Sequence, residues 1–180
     1  MWNCNATAAG CELEMNREYY IYWYRLDGND GYLIWFSTAD KDGFISNEDG
    51  FVPCFESKDD LKEYADKLQI AVDTDNPNLL NLDTVKNWLN DAESKIEDYN
   101  PFLNAWNLFE DISISTDGNF DKDKKVTNGL YERIFWGCNI PVVTPEGESF
   151  TPTWTTNELK IIRKTLSAGF QMFIEKIKRN

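Results

Sequence analysis

The chain has 180 residues, 42% apolar and 14% aromatic, which suits one ordinary domain with a real core and argues against wholesale disorder. Its formal net charge of −13 speaks against nucleic acid as a ligand and against anionic membrane surfaces, since both carry the same sign. No apolar run approaches the ~20 residues that span a bilayer, and the opening MWNCNATAAGCELE lacks the basic and greasy regions of a Sec signal, so a cytoplasmic protein is expected.

Met15 begins MNREYYIYWY and would itself make a natural start. Residues 1–14 are therefore read as a flexible extension and residues 15–180 as a single domain. REYYIYWYRL at 17–26 is aromatic and β-rich, and reads as a strand. Its residues are large on both faces, as in a central strand covered on both sides, the alternative being an aromatic binding face. DGNDG turns the chain, and GYLIWFS at 31–37 reads as the return strand. Short strands are expected at 43–46 and 51–55, which completes an antiparallel meander.

Helices follow. Ser57 with Asp60 reads as a cap for a helix over 58–68, with Leu61, Tyr64, Ala65 and Leu68 at helical spacing. Ile70 to Val72 can return to the sheet. Asp83 is expected to cap a second helix with Val85, Trp88, Leu89, Ala92 and Ile96 on one side, ending before Asn100-Pro101. That dipeptide supplies an N-cap and a first helical position for a third helix, FLNAWNLFEDI, apolar on most sides and hence deeply buried. Residues 116–128 read as loop, Leu130 to Trp136 as a short helix, and 139–153, with three prolines, as ordered but irregular. Thr155 and Glu158 form a capping box, with Trp154 and Leu159 as a hydrophobic staple. Leu159, Ile162, Leu166, Phe170, Phe173 and Ile177 then make a buried stripe. The fold class is α+β: a small N-terminal antiparallel sheet packed against about five helices.

Chemistry is constrained by what is missing. The chain has no histidine, which removes Ser-His-Asp and Cys-His nucleophiles and His-ligated zinc. Walker, G-x-G-x-x-G and G-x-S-x-G motifs are absent from the sequence. Cys4, Cys11, Cys54 and Cys138 form no C-x-x-C; Cys54 and Cys138 are expected to be buried thiols, with a Cys4–Cys11 bridge as the oxidised alternative. Thr38 to Asp49 has the rhythm of an EF-hand loop. Thr38 stands where the first carboxylate belongs, Asp49 where the bidentate Glu belongs, and the flanks look like strands. Asp40-Lys41-Asp42-Gly43 is better read as a turn, with glycine supplying positive φ. Glu110-Asp111 is a carboxylate pair that reads more readily as surface charge than as a glycosidase pair. Trp106 and Trp136 are read as core. No catalytic residue, metal or cofactor is assigned, and the chain is not expected to be an enzyme.

The charge is uneven. Residues 158–180 hold six Lys or Arg against two Glu, net +4, so the remaining 157 carry −17. Residues 37–66 hold nine acids and three bases. Phe102–Ser115 (FLNAWNLFEDISIS) and Tyr131–Trp154 (YERIFWGCNIPVVTPEGESFTPTW), with the aromatic N-terminal hairpin, resemble small bacterial immunity proteins of polymorphic-toxin and contact-dependent growth inhibition systems. The resemblance covers residues 15–180. It implies a protein that binds and neutralises a cognate toxin C-terminal domain, a basic nuclease being the type an acidic partner suits. Asp40, Asp42, Glu48, Asp49, Asp59, Asp60 and Glu63 are the expected partner-binding residues. The competing readings are a carboxylate-dependent enzyme, metal-assisted or not, and an acidic interaction module with many partners.

Overall fold

A computed structural model describes residues 17–75, 77–121 and 123–180. The proposed extension and its Cys4–Cys11 pair lie outside them. Strands β1 (Glu18–Leu26) and β2 (Asn29–Ser37) form a nine-residue antiparallel hairpin. Asp27 and Gly28 both have positive φ, 53° and 71°, the two-residue turn whose twist matches paired strands. Strand β3 (Asp42–Phe44) continues the sheet antiparallel beyond β2.

The other side of β1 departs from a pure meander. Strands β5 (Val72–Asp73) and β6 (Leu79–Asn81) pair with it in parallel, β5 at Tyr19–Tyr20 and β6 at Trp23–Arg25, so the sheet is mixed. Strand β4 (Val52–Cys54) leaves the meander and pairs in parallel with the C-terminal strand β7 (Ile177–Arg179). Phe55, just after β4, bridges back to Tyr32. Pro53 has no N–H to offer a central ladder, which suits a strand paired on one side.

Both faces of the hairpin are covered, as the doubly aromatic pattern implies. Helix α1 (Lys58–Lys67) lays Leu61 and Ala65 on Ile21, Ile34 and Phe55. The opposite face, with Tyr22, Tyr24, Leu33 and Trp35, joins the main core built on helix α3 (Asn100–Ser115) and helix α5 (Thr156–Lys176). Gly31 stands opposite Tyr24 because a Cβ there would lie 2.4 Å from the phenol ring. Helix α3 buries seven side chains and packs on α5, β3, helix α2 (Leu82–Asn90) and helix α4 (Lys124–Gly137).

Local chemistry explains where the elements start and stop. Ser57 accepts from the Asp60 N–H, and Thr155 with Glu158 forms the complete capping box. Helix α2 is capped by Asn81, whose side chain accepts from the Asp83 N–H; Asp83 is not the cap. Its carboxylate instead accepts from the N–H groups of Asp27 and Gly28 at 2.6 and 2.9 Å, tying the hairpin tip to α2. The helix stops at Asn90, short of the expected 96. Asp91 takes the Glu93 N–H and the Ser94 hydroxyl, a local arrangement that competes with helix. Asn100 is not a cap either: Asp98 accepts from its backbone and side-chain N–H, and the helix starts at Asn100 itself. Helix α4 begins at Lys124, inside the expected loop, with Thr127 buried and donating to Asp121. Helix α5 ends at Lys176, so Ile177 belongs to β7 and not to the stripe. Trp106 is 1% exposed, but Trp136 is 46% exposed and is not core. Cys54 is buried and Cys138 half-buried, both as thiols. Among the described residues no helix is long and apolar enough to cross a membrane.

Candidate partner-binding surface

The seven acidic residues singled out from the sequence are all exposed, and they sit on three different elements. Asp40 and Asp42 flank the β2–β3 turn. Thr38 organises that turn: its hydroxyl accepts from Lys41 N–H at 3.0 Å and donates to Lys41 carbonyl at 2.7 Å. The residue at the first position of an EF-hand loop is therefore spent on turn geometry, and strands flank the segment. Gly43 does not supply positive φ. It lies in β3, where a Cβ would meet Ser115 Oγ at 2.7 Å and the Phe36 ring at 3.2 Å. The glycine with positive φ is Gly50, at 78°, closing the Asn47–Phe51 turn that presents Glu48 and Asp49. Asp59, Asp60 and Glu63 lie on the first two turns of α1, where the helix N-terminus favours negative charge.

Charge pairing separates these residues further. Asp49 lies 4.0 Å from Lys178, and Glu63 lies 2.8 Å from Lys67. Arg179 reaches Glu56 at 3.1 Å. The basic C-terminus seen in the sequence thus folds back, through β7, onto part of the acidic segment. Asp40, Asp42, Glu48, Asp59 and Asp60 have no cationic partner among the described residues. Asp42 and Asp60 do accept from neighbouring Ser37 and Ser57 hydroxyls. Among the described residues no hydrogen bond or ion pair joins the three groups. Nor does any cluster of three or more Asp, Glu, Cys or His side chains gather there as metal ligands.

Beside β3 runs a groove of about 370 Å³, walled by Phe36, Ile45, Leu68 and Ile114, with Arg17, Lys41 and Asp42 at its polar side. The edge of β3 is closed by α3, since Phe44 N–H donates to Ser115 Oγ at 2.8 Å. One turn back, Asp111 is the carboxylate that sequence pattern misjudged. It is half-buried against β2 and accepts from Trp35 Nε1 at 3.1 Å. Burial pushes its pKa up to about 6, with smaller contributions from Asp42 and Glu110. Its pair-mate Glu110 binds Lys124 at the surface.

A carboxyl with a raised folded pKa holds its proton more tightly in the folded chain. Its stabilising contribution is complete below the unfolded value near 4 and is lost as pH rises through about 6. Asp111→Asn keeps an oxygen for Trp35 and should remove this pH dependence. The variant is expected to be more stable than wild type by about 1–2 kcal/mol at pH 7, a figure discounted for the group's partial exposure, and equal to it near pH 4. Urea titrations at the two pH values check this.

A second acidic region escaped the sequence reading. Residues 91–98 border a shallow hollow of about 870 Å³ with Asp91, Glu93, Glu97 and Asp98 on its rim and Trp88 and Phe102 at its floor. Arg163 holds the segment, its guanidinium 3.8 Å from the Trp88 ring centre and donating to the carbonyls of Trp88 and, at 2.9 Å, Asp91. Arg163→Ala should cost about 2–3 kcal/mol and raise amide exchange across 91–98, while Arg163→Lys recovers little because it lacks the planar fork. Melting and hydrogen-exchange measurements read both. Arg163, the one Arg in α5 and next to Lys164, was the available signal. Its partners, some seventy residues away, were not.

No family model matches the chain, and no curated protein matches it. Among solved structures it is similar to the one described as the crystal structure of SatS C-terminal domain in complex with bromine. That likeness has a TM-score of 0.54 at 13% sequence identity, over 93% of this chain and 96% of that one. At that identity the likeness is one of fold: an α+β domain with an N-terminal mixed sheet and five helices.

Proposed function

We propose that this chain is an immunity protein, a cytoplasmic binding protein that neutralises a basic toxin domain by stoichiometric association. The observation that carries the reading is the set of exposed, cation-free carboxylates at Asp40, Asp42, Glu48, Asp59 and Asp60, each fixed on a strand end, tight turn or helix start. Carboxylates without internal partners attract a basic protein over a Debye length and speed its encounter. The resemblance of the hairpin, α3 and the α4–α5 region to immunity proteins supports a toxin domain as the partner, without naming which toxin. A basic nuclease suits the role, because an acidic surface can occupy a cleft built for phosphate.

The carboxylate-enzyme reading draws on Asp111, whose raised pKa would suit a general acid. Asp111 lines neither the groove beside β3 nor the hollow beside Glu110, so a substrate in either would not meet it. Binding is the better-supported role.

The test is co-expression. The C-terminal domain of the protein encoded immediately upstream is expressed with and without this chain, following growth and complex formation. Toxicity relieved through a stable 1:1 complex is the expected result. Toxicity that the chain neither relieves nor binds sinks the reading. Equal binding to unrelated basic proteins would favour the general interaction module, since an immunity protein rejects non-cognate toxins.

A further inference from the structure

Ile161, Lys164, Thr165 and Ala168 stand at i, i+3, i+4 and i+7 along α5, one stripe of the helix, and wall a cavity of about 370 Å³. The other wall is the start of α4, with Val126 and Thr127, and the connection before it, with Asp121 and Asp123. The size lies at the small end of the range for ligand sites.

The cavity holds polar groups that the fold leaves unused. Thr165 is 9% exposed, and its hydroxyl makes no hydrogen bond among the described residues. A helical threonine commonly donates to the carbonyl four residues back, as Thr127 does to Asp123 at 3.1 Å. The described side-chain atoms sealed from solvent without a partner are Arg17 Nε and Trp23 Nε1. The Thr165 hydroxyl is not one of them, so it opens on the cavity that the residue lines.

The two carboxylates are also uncommitted. Asp123 heads α4 without a side-chain cap bond. Asp121 accepts the Thr127 hydroxyl at 2.6 Å through one oxygen, which leaves the other without a partner among the described residues. Neither carboxylate, nor Lys164, forms an ion pair among the described residues. Both signs of charge therefore line one cavity without neutralising each other.

Charge and shape select the occupant. Two carboxylates suit an ammonium. Lys164 and the neighbouring Thr165 hydroxyl suit a carboxylate. Val126, Ile161 and Ala168 suit a short aliphatic body. A bare metal ion is poorly served, since no group of three or more carboxylate or thiol ligands gathers among the described residues.

We infer that this cavity binds a free aliphatic α-amino acid as its zwitterion, with the ammonium on Asp121 and Asp123, the carboxylate on Lys164 and Thr165, and the side chain against Val126, Ile161 and Ala168. The inference is independent of the immunity reading, because it uses none of the surface acids assigned to a partner. A ligand held this way ties the α3–α4 connection to α5 and stabilises the folded chain by mass action.

The full chain is titrated with leucine, valine and methionine by calorimetry, with amide shifts followed by NMR. At least one should bind 1:1 with Kd below about 1 mM, move the amides of Asn119, Val126 and Thr165, and raise Tm. The N-acetyl derivative of that amino acid lacks the ammonium, and its amide lacks the carboxylate. Each should bind at least about 10-fold more weakly, which separates a free amino acid from either end of a peptide. Lys164→Met should weaken binding by about 10-fold, and Thr165→Val, which keeps the shape, by about fivefold. The proposal is overturned if none of the three binds saturably, or if a blocked derivative binds as tightly as its parent. Binding that both substitutions leave unchanged also overturns it. Should Thr165→Val misfold by circular dichroism, Lys164→Met decides alone, since Lys164 is exposed and unpaired among the described residues.

Discussion

Phe109→Ala should destabilise the protein by about 3–5 kcal/mol, a large share of the 5–15 kcal/mol typical of a domain. Phe109 is 0% exposed, and its ring centre lies 5.0, 5.8 and 6.0 Å from those of Phe170, Phe120 and Phe173. It is the point where α3, α5 and the start of the α3–α4 connection meet, so truncation leaves a void that two helices would have to shift to fill. The urea midpoint should fall sharply with an unchanged slope. Gly169, opposite, gives the same contact a second test. Alanine in a helix normally gains about 1 kcal/mol over glycine, but a Cβ here would lie 2.2 Å from the Phe109 ring. Gly169→Ala should therefore cost about 1–3 kcal/mol and cost much less when Phe109 is already alanine. A loss below about 1 kcal/mol for Phe109→Ala would mean that α3 and α5 do not pack through this residue.

Reversing Asp40, Glu48 and Asp59 to lysine moves the formal charge from −13 to −7. All three are exposed and lack a cationic partner among the described residues, so stability should change little beyond about 0.3–1 kcal/mol from Asp59 at the α1 N-terminus. Association with the upstream-encoded toxin domain at low salt should slow by about 10–1000-fold, and the difference should shrink as salt screens it. Dissociation should change far less, because rim charge acts mainly on association. An unchanged association rate would place the steering charge elsewhere, the rim of the Asp91–Asp98 hollow being the next surface to reverse.

Composition and periodicity were enough for the features that depend on neighbours in the chain. The β1–β2 hairpin follows from Asp27-Gly28 between aromatic runs, and α5 from the Thr155–Glu158 capping box. The burial of α3 follows from its apolar circumference. Each is decided by hydrogen bonds or spacing within about four residues, so the local code is sufficient. The exposure of the acidic residues was equally legible, because a carboxylate without a partner stays in water.

Only the tertiary structure decided which residues meet across long separations. Three short strands gained partners no local pattern encodes: β5 and β6 run parallel to β1, and β4 pairs with the C-terminal β7. Asp83 and Asn81 are equally good caps by type; the distant hairpin tip claimed Asp83. Asp111 and Glu110 are adjacent and alike in sequence, yet one turns in to Trp35 and the other out to Lys124. Trp136 and Trp106 are the same residue in helical settings, and one is exposed while the other is core. Burial and charge pairing depend on what folds against a side chain, and that is set by the summed packing of the whole chain.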